Sequence, residues 1–235
     1  MKKILKVDNP NVYAEYVGAP LLHPQLALIS YDEVSPLRSS MNNYGVYGLF
    51  IQKQFPKYLF YGTKSIVVGD SSIIAVAPGQ MGGAEDNGTP LFLNGWALLW
   101  SAELLKGSPL EGKMEEYHFF SYFDTDWLRM TASEYERFSL LLVTMRKEMQ
   151  ENPDSPALRN ILTSYLKLIL EYCQRIYLRQ RSLKANGESD ILKRFHSLLV
   201  DYFTQGMQHE KGLPTVAYCA DKLAYSARYF GDLIH

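Results

Sequence analysis

The stretch that decides the fold ends the chain: Leu213-Pro-Thr-Val-Ala-Tyr-Cys-Ala-Asp-Lys-Leu-Ala-Tyr-Ser-Ala-Arg-Tyr-Phe-Gly-Asp-Leu-Ile-His235. Pro214-Thr215 is typical of a helix start. Apolar residues then recur at helical spacing, at Val216, Cys219, Ala220 and Leu223. Ala224-Tyr225 predicts a tight turn, after which Ser226 is suited to cap a second helix. The pattern indicates either a helix-turn-helix, the unit that inserts a helix into the DNA major groove, or two short core helices.

Composition places the chain among ordinary globular proteins. Its 235 residues are 47% hydrophobic and 21% charged, with a formal net charge of -1. Stand-alone nucleic-acid-binding domains are usually strongly basic, so contact with DNA would have to come from a local patch. The sequence has no signal peptide and no apolar stretch near the roughly 18 residues of a membrane span. Cys173 and Cys219 lack metal-type spacing and are expected to be reduced core thiols. We therefore expect a cytoplasmic protein without membrane contact.

The character of the sequence changes near residue 130. Before it, short segments of strand composition alternate with turns rich in glycine and proline, as in a β-sandwich or barrel. The predicted strands are 46–52, 58–61, 65–68, 73–77 and 116–123, and 96–100 is expected to lead into a helical turn. After residue 130 the apolar spacing becomes helical. The expected fold class is therefore α+β, with a β-barrel domain at 1–129 and an all-α C-terminal region.

Three helices are predicted before the final stretch. Thr131 and Glu134 have the spacing of a capping box, which starts the first. The second runs from about 156 to 183 and has a wide apolar face. This face either packs on the first helix and the β domain or pairs with a second copy of the chain. Ser189 would cap the third helix. We expect a helical linker and dimerisation region at 130–185 and a partial helix-turn-helix domain at 186–235.

Particular motifs carry a resemblance to a known family. Val216-x-Tyr-Cys-Ala-Asp-Lys-Leu-x-x-Ser-x-x-Tyr-Phe-x-x-Leu-Ile234 resembles the first helix-turn-helix of the AraC/XylS family of bacterial transcription regulators. Ile191-Leu-Lys-Arg-Phe-His-Ser-Leu-Leu-Val-Asp-Tyr-Phe203 is similar to the helix that opens the family's DNA-binding domain. Gly69-Asp-Ser-Ser-Ile-Ile-Ala-Val-Ala-Pro-Gly-Gln80 and Gly95-Trp-Ala-Leu-Leu-Trp100 are similar to its cupin-like sensor domain. The resemblance covers nearly the whole chain.

The resemblance implies a sensor joined to a DNA reader. A cupin-like barrel would hold a small-molecule effector or mediate contacts, the helices behind it would form a homodimer, and the C-terminal domain would bind double-stranded DNA. By position, Arg228, Gly231 and Asp232 match the outward positions of the recognition helix, and Ser226 matches its capping serine. Lys222 completes the expected DNA-binding set. Arg228 is expected to reach a guanine edge or a phosphate, whereas Asp232 repels phosphate unless it accepts from cytosine.

The end of the chain departs from the family pattern, because the family's second helix-turn-helix would follow His235. From Leu183 to His235, six basic side chains are balanced by six acidic ones, which leaves little counterion release on DNA binding. We therefore expect a fragment or truncated product of a longer regulator, one that binds DNA weakly or not at all. The alternative is a dimerisation or small-molecule-binding module without DNA-binding activity.

Signatures of catalysis are missing from the sequence. The predicted barrel has only His23 and His118, too few for a metal site, although Glu116 and His118 would share one face of a predicted strand. Met81 stands where a metal-binding cupin could carry a histidine. The sequence contains no phosphate loop before a helix, no nucleophile elbow and no recognisable Cys–His arrangement. We expect no enzymatic activity, no cofactor and no metal.

Aromatic residues are abundant, with 17 Tyr, 11 Phe and 3 Trp. Aromatic walls with hydroxyl tips suit a sugar or aromatic effector, but the same residues can equally fill a core, and the latter interpretation is favoured for any one residue. The effector-binding residues are not assigned. The candidates on and around the predicted strands are Tyr44, Tyr47, Phe50, Tyr58, Phe60, Trp96, Trp100, Phe120 and Tyr122.

Overall fold

A computed structural model describes residues 4–37, 40–55, 59–61, 64–66, 68–84, 90–121, 127–184, 190–227 and 230–231. Over these residues the fold is α+β, with two five-stranded sheets and seven α-helices. The chain divides into two compact units. Unit 1 comprises Met1–Gln180 and contains both sheets, and unit 2 comprises Arg181–His235 and is helical.

The strands of unit 1 form two sheets. In chain order they are β1 (Ile4–Val7), β2 (Leu26–Ser30), β3 (Ser40–Tyr44), β4 (Tyr47–Gln52), β5 (Leu59–Tyr61), β6 (Lys64–Ile66), β7 (Ser72–Val76), β8 (Gln80–Ala84), β9 (Gly95–Trp100) and β10 (Leu128–Arg129). The first sheet has the order β1-β3-β8-β5-β6 and the second the order β10-β7-β4-β9-β2. The β1–β3 pair is parallel and the other described pairs are antiparallel.

The seven helices are α1 (Pro10–Val17), α2 (Ala102–Leu105), α3 (Ala132–Glu151), α4 (Leu158–Lys184), α5 (Asp190–Thr204), α6 (Met207–Lys211) and α7 (Val216–Lys222). The predicted capping box of α3 is confirmed: Glu134 N–H donates to Thr131 Oγ1 at 3.2 Å, and the Glu134 carboxylate accepts from Thr131 N–H at 2.8 Å. The predicted second helix is confirmed as α4. The predicted cap of the third helix, Ser189, lies outside the described residues.

The second sheet is the middle layer of unit 1, because its two faces enter different cores. Along β4, Leu49 and Ile51 face a core shared with α3 and α4. Phe50 points the other way, into a core shared with α1 and the first sheet. This alternation follows from the pleat of a strand, in which successive side chains lie on opposite faces. The two sheets therefore pack face to face through the second core, and the helices cover the outer face.

Ion pairs connect the long helices to their surroundings within unit 1. Arg179 on α4 binds the Glu134 carboxylate on α3, with its Nη1 2.7 Å from Oε1. Partial burial acts to raise the pKa of Glu134, but hydrogen bonds from Arg179 and Thr131 outweigh it and hold this pKa below its usual value. Arg146 on α3 makes a bidentate pair with Glu33, which lies in a short 3-10 turn after β2.

Two expectations for the β domain need revision. Four of the predicted strand segments, and 96–100, overlap observed strands, but 116–123 is not a strand. Its described part forms two 3-10 turns, Met114–Glu116 and His118–Phe120. Phe119 and the adjacent Phe120 are both buried, which a strand exposed on one face does not allow. Glu116 and His118 therefore share no strand face. A barrel was also expected, but no pairing between described strands closes the two sheets into one.

Unit 2 has a small core of its own. Cys219, Ala220, Leu223 and Phe230 are buried together, with Phe195 and Leu199 of α5 packed against them. The rings of Phe195 and Phe230 meet edge to face with centroids 5.0 Å apart. Tyr202 of α5 adds a hydrogen bond to the Gly212 carbonyl at 2.9 Å. These contacts hold α7, and the segment that follows it, against α5.

Candidate functional site

The first candidate site is the segment from Thr215 to Gly231 in unit 2. Thr215 caps α7, since its side chain accepts a hydrogen bond from Tyr218 N–H at 3.1 Å. At the other end, Ala224 adopts a left-handed conformation with φ 64°. Tyr225 N–H then donates to the Ala220 carbonyl at 2.9 Å. This is the pattern of a Schellman motif, which ends a helix and turns the chain sharply.

A second helical segment begins immediately after the turn. The Ser226 carbonyl accepts from Phe230 N–H at 2.9 Å, as expected of an N-cap residue. Phe230 is completely buried against α7 and α5. The small side chain of Ala220, also buried, allows this close approach. Arg194 of α5 donates to the Leu223 carbonyl at 3.2 Å and so satisfies one backbone group at the end of α7.

The structure describes three of the five residues predicted to contact DNA. Ser226 and Lys222 are exposed, and Gly231 is half-buried. Lys222 Nζ lies 6.0 Å from the centre of the Tyr218 ring. Arg228 and Asp232 lie outside the described residues. A methyl group added at Gly231 would meet Val216 at 3.9 Å, an ordinary contact, so space for a side chain exists there.

The second candidate site is a cavity of about 60 Å³ in unit 1, lined by residues of both sheets. Asn42 and Tyr44 come from β3, and Phe50 and Gln52 come from β4. They point inward because alternate residues of each strand face the core between the sheets. Tyr13 of α1 and Tyr31 add two hydroxyl groups that lie 2.7 Å apart. Among the described lining residues none carries a charge.

Two buried amide oxygens distinguish this cavity from an ordinary core void. Asn42 Oδ1 and Gln52 Oε1 are both buried, and neither has a hydrogen-bond partner within the described part of the chain. The Asn42 amide is oriented by its Nδ2 group, which lies 3.0 Å from the Tyr44 hydroxyl. An unpaired buried acceptor costs about 1–3 kcal/mol of stability, and native proteins have few of them. Two such atoms in one cavity make it a candidate binding site.

The tyrosine pair stays neutral. Burial, together with the neighbouring Tyr31 hydroxyl, raises the pKa of Tyr13 well above its usual value, and burial raises the pKa of Tyr31 as well. In this pair one hydroxyl donates to the other, so one O–H hydrogen is left for another acceptor. The cavity therefore offers one donor in addition to its two acceptors.

Part of this cavity was predicted from the sequence. Tyr44, Phe50 and Phe60, which were candidates, line it. Tyr47, Trp96, Trp100 and Phe120 belong instead to the core beside α3 and α4, and Tyr58 and Tyr122 lie outside the described residues. Asn42 and Gln52 were not predicted. In the sequence, each is simply a polar residue within a strand. That polarity points to a cavity only when the pairing of the strands shows that the residue is buried.

The outer face of α4 is a third feature. Its inner stripe, including Leu162, Leu166 and Ile169, is buried in the core with the second sheet, which confirms the predicted packing. Ile161, Tyr165 and Leu168 line a shallow groove together with Ala157 and Ser164, and Tyr165 also packs against the edge of that core. Leu168 is 40% exposed. Because this groove is apolar, the predicted pairing of two copies of the chain through α4 stays a proposal.

Three other features predicted from the sequence concern the cysteines, metal binding and membrane spans. Cys173 and Cys219 are free and buried, as predicted, and burial raises the pKa of both thiols. Across the described ranges, no cluster of three or more His, Cys, Asp or Glu side chains could hold a metal ion. The same part of the chain contains no helix both long and apolar enough to cross a membrane.

Comparisons with known proteins do not assign the chain to a family. A scan against known protein families gives no match, and a search of curated proteins gives no significant relative.

Proposed function

We propose that this chain belongs to a DNA-binding transcription regulator of the AraC/XylS type. Unit 2 would supply a helix-turn-helix and unit 1 a cupin-like sensor. The observation that carries the proposal is the geometry of Thr215 to Gly231: α7, a left-handed turn at Ala224, and a second helical segment anchored by buried Phe230. Ser226 and Ala227, at the start of the second segment, are exposed and so are available to the major groove.

The sensor half of the proposal rests on two facing sheets with a lined cavity. Double-sheet jelly rolls, which include the cupins, have this layered arrangement. The cavity contains unpaired polar atoms, which favours a bound effector over simple core filling. An effector would act through a difference in affinity between two states of the regulator.

DNA binding by these residues should be weak. The basic and acidic side chains between Leu183 and His235 balance, so few phosphates can be neutralised. Without a strong electrostatic contribution, we expect a dissociation constant of about 10⁻⁴ to 10⁻⁶ M at physiological salt, the range of non-specific binding.

Fluorescence anisotropy with random-sequence duplex DNA tests the proposal, with the full 235-residue chain at 50 and 200 mM salt. Arg228→Ala and Lys222→Ala should each weaken binding and lower the salt slope by about one. Lys211→Ala, at an exposed lysine at the end of α6, is the matched control and should change neither. Absence of binding at 50 mM salt, or equal affinity in all three variants, would refute a DNA-reading role for this segment.

The second candidate function is a dimerisation and small-molecule-binding module that does not read DNA. The shallow apolar groove on α4 at Ile161, Tyr165 and Leu168 favours it, with Leu168 exposed and the other two half-buried. Light scattering tests the dimer. Leu168→Glu should yield a monomer, whereas Leu21→Glu, at an exposed leucine outside α4, should leave the mass unchanged. A monomeric unmodified protein would exclude this surface as a dimer interface.

A further inference from the structure

One side of α4 carries a stripe of residues that are at least partly exposed, here called the α4 seam: Ile161, Tyr165, Leu168, Tyr172 and Arg175. Their spacing alternates between four and three residues, as in the a and d positions of a coiled coil. Side chains at this spacing stay on one side of a helix over several turns. The first three line the shallow apolar groove, and Leu168 is 40% exposed. The α4 seam is therefore suited to pack against another α-helix.

The end of the seam nearer Lys184 is basic and is organised around Tyr172. The Tyr172 ring meets buried Phe138 edge to face, with centroids 6.1 Å apart. Two arginines lie over the same ring. The guanidinium carbon of Arg137, on α3, is 5.5 Å from its centroid, and that of Arg175 is 4.9 Å away. Cation–π attraction holds both guanidinium groups at this ring while their N–H donors remain available.

The two arginines lack a local counter-charge. Within the described ranges, neither Arg137 nor Arg175 makes an ion pair. Glu134 and Glu171, three and four residues before them on their helices, are paired with other basic side chains. Glu136 precedes Arg137 directly, so it lies about 100° around α3 from it. The uncompensated positive charge favours an acidic group on a molecule that covers this end of the seam.

A second copy of the chain does not supply that acidic group. If two α4 seams packed antiparallel about Leu168, Arg175 would lie opposite Ile161 of the second copy, and the segment 157–164 contains no Asp or Glu. If they packed parallel, the arginines of both copies would meet and repel each other. Charge complementarity therefore favours a different protein as the partner.

We propose that the α4 seam binds an amphipathic α-helix of another protein, one with apolar residues along its contact face and acidic residues at the end that meets Arg137 and Arg175. Tyr165 and Leu168 contact the apolar residues of that helix, and the two arginines contact its carboxylates. Tyrosine and arginine are among the residues that contribute most to binding at protein interfaces. The proposal goes beyond the proposed function and depends neither on DNA binding nor on a ligand in the cavity.

The test is fluorescence anisotropy of the full chain with labelled helical peptides. The peptides carry leucines at alternating four- and three-residue spacing, with glutamates in either the first or the last turn, since the helix can lie in either direction. Matched peptides carry glutamine in place of glutamate. One glutamate peptide should bind about tenfold more tightly than its glutamine match at low salt, and this preference should shrink as salt screens the charges.

Variants of the chain locate the contact. Arg137→Gln and Arg175→Gln should each weaken binding of the glutamate peptide about fivefold and leave the glutamine peptide unchanged. Leu168→Ser should weaken binding of both peptides about tenfold. Lys147→Gln, at an exposed lysine elsewhere on α3, and Leu21→Ser, at an exposed leucine outside α4, are the matched controls and should change neither affinity.

Each further outcome decides the proposal. Equal binding of the glutamate and glutamine peptides, arginine variants that behave like Lys147→Gln, or no binding of any peptide at micromolar concentration would overturn it. A dimer of the unmodified chain that Leu168→Glu dissociates in light scattering would show that a second copy fills the seam, and would overturn it as well. Circular dichroism checks that each variant is folded, and the two arginines on separate helices keep the test decisive if one variant is not.

Discussion

Replacing Gln52 by leucine should make the ligand-free protein more stable. Gln52 is the last residue of β4, is 2% exposed, and has a buried Oε1 atom without a partner in the described structure. Leucine is similar in size and removes the unpaired acceptor. The expected gain is about 1–3 kcal/mol, with the lower figure applying if cavity water hydrates the oxygen. For a chain of this length, each kcal/mol raises Tm by about 2–4 °C.

Thermal and urea unfolding of the unmodified protein and of Gln52→Leu, without ligand, measure this difference. Gln54→Leu serves as the control and should stay within about 0.5 kcal/mol, because Gln54 is exposed. A loss of more than about 1 kcal/mol in Gln52→Leu would show that the amide oxygen is already satisfied in the free protein, since its removal would then break a real hydrogen bond. The binding-site interpretation of the cavity would lose its main support.

Four further outcomes are expected. Gly95→Ala should cost more than about 3 kcal/mol, because φ there is 105° and a Cβ would lie 2.4 Å from the Ile51 carbonyl oxygen. Gly107→Ala, with a φ of 73° and open space around it, should cost about 1–2 kcal/mol in the same urea titration. Because its pKa lies below the usual 4.5, Glu134 stabilises the fold above that pH and loses this contribution as the pH falls further. Glu134→Gln should therefore show a smaller loss of stability between pH 5 and pH 3, and a curve parallel to that of the unmodified protein would contradict this. Phe230→Ala should cost about 3–5 kcal/mol, seen as faster hydrogen exchange in unit 2, and unchanged exchange would show that Phe230 does not anchor the turn.

The features predicted correctly from the sequence are those with local causes. The Thr131–Glu134 capping box needs only four consecutive residues, and the apolar stripe of α4 needs only helical spacing. The cap at Thr215 and the turn after Leu223 are also short-range features. Each of these follows from hydrogen bonds or periodicity within about one helical turn.

The features that were missed depend on contacts between distant residues. The segment 116–123 has strand composition, but the surrounding core buries Phe119 and Phe120 together and favours 3-10 turns. Asn42 and Gln52 line the same cavity only because β3 and β4 belong to facing sheets. No local pattern gives that pairing, so the most informative polar atoms of the cavity could not be identified from the sequence.

The two-faced strand β4 has a consequence for how this protein can change over evolution. Phe50 and Gln52 shape the cavity, while Leu49 and Ile51 anchor the helices from the opposite face of the same strand. Substitutions on the cavity face can alter the shape and polarity of the cavity while the helix-anchoring residues remain the same. A shift of the strand backbone, in contrast, moves both sets of side chains at once. The cavity can thus diverge among descendants of this protein while the packing of β4 against the helices is inherited intact.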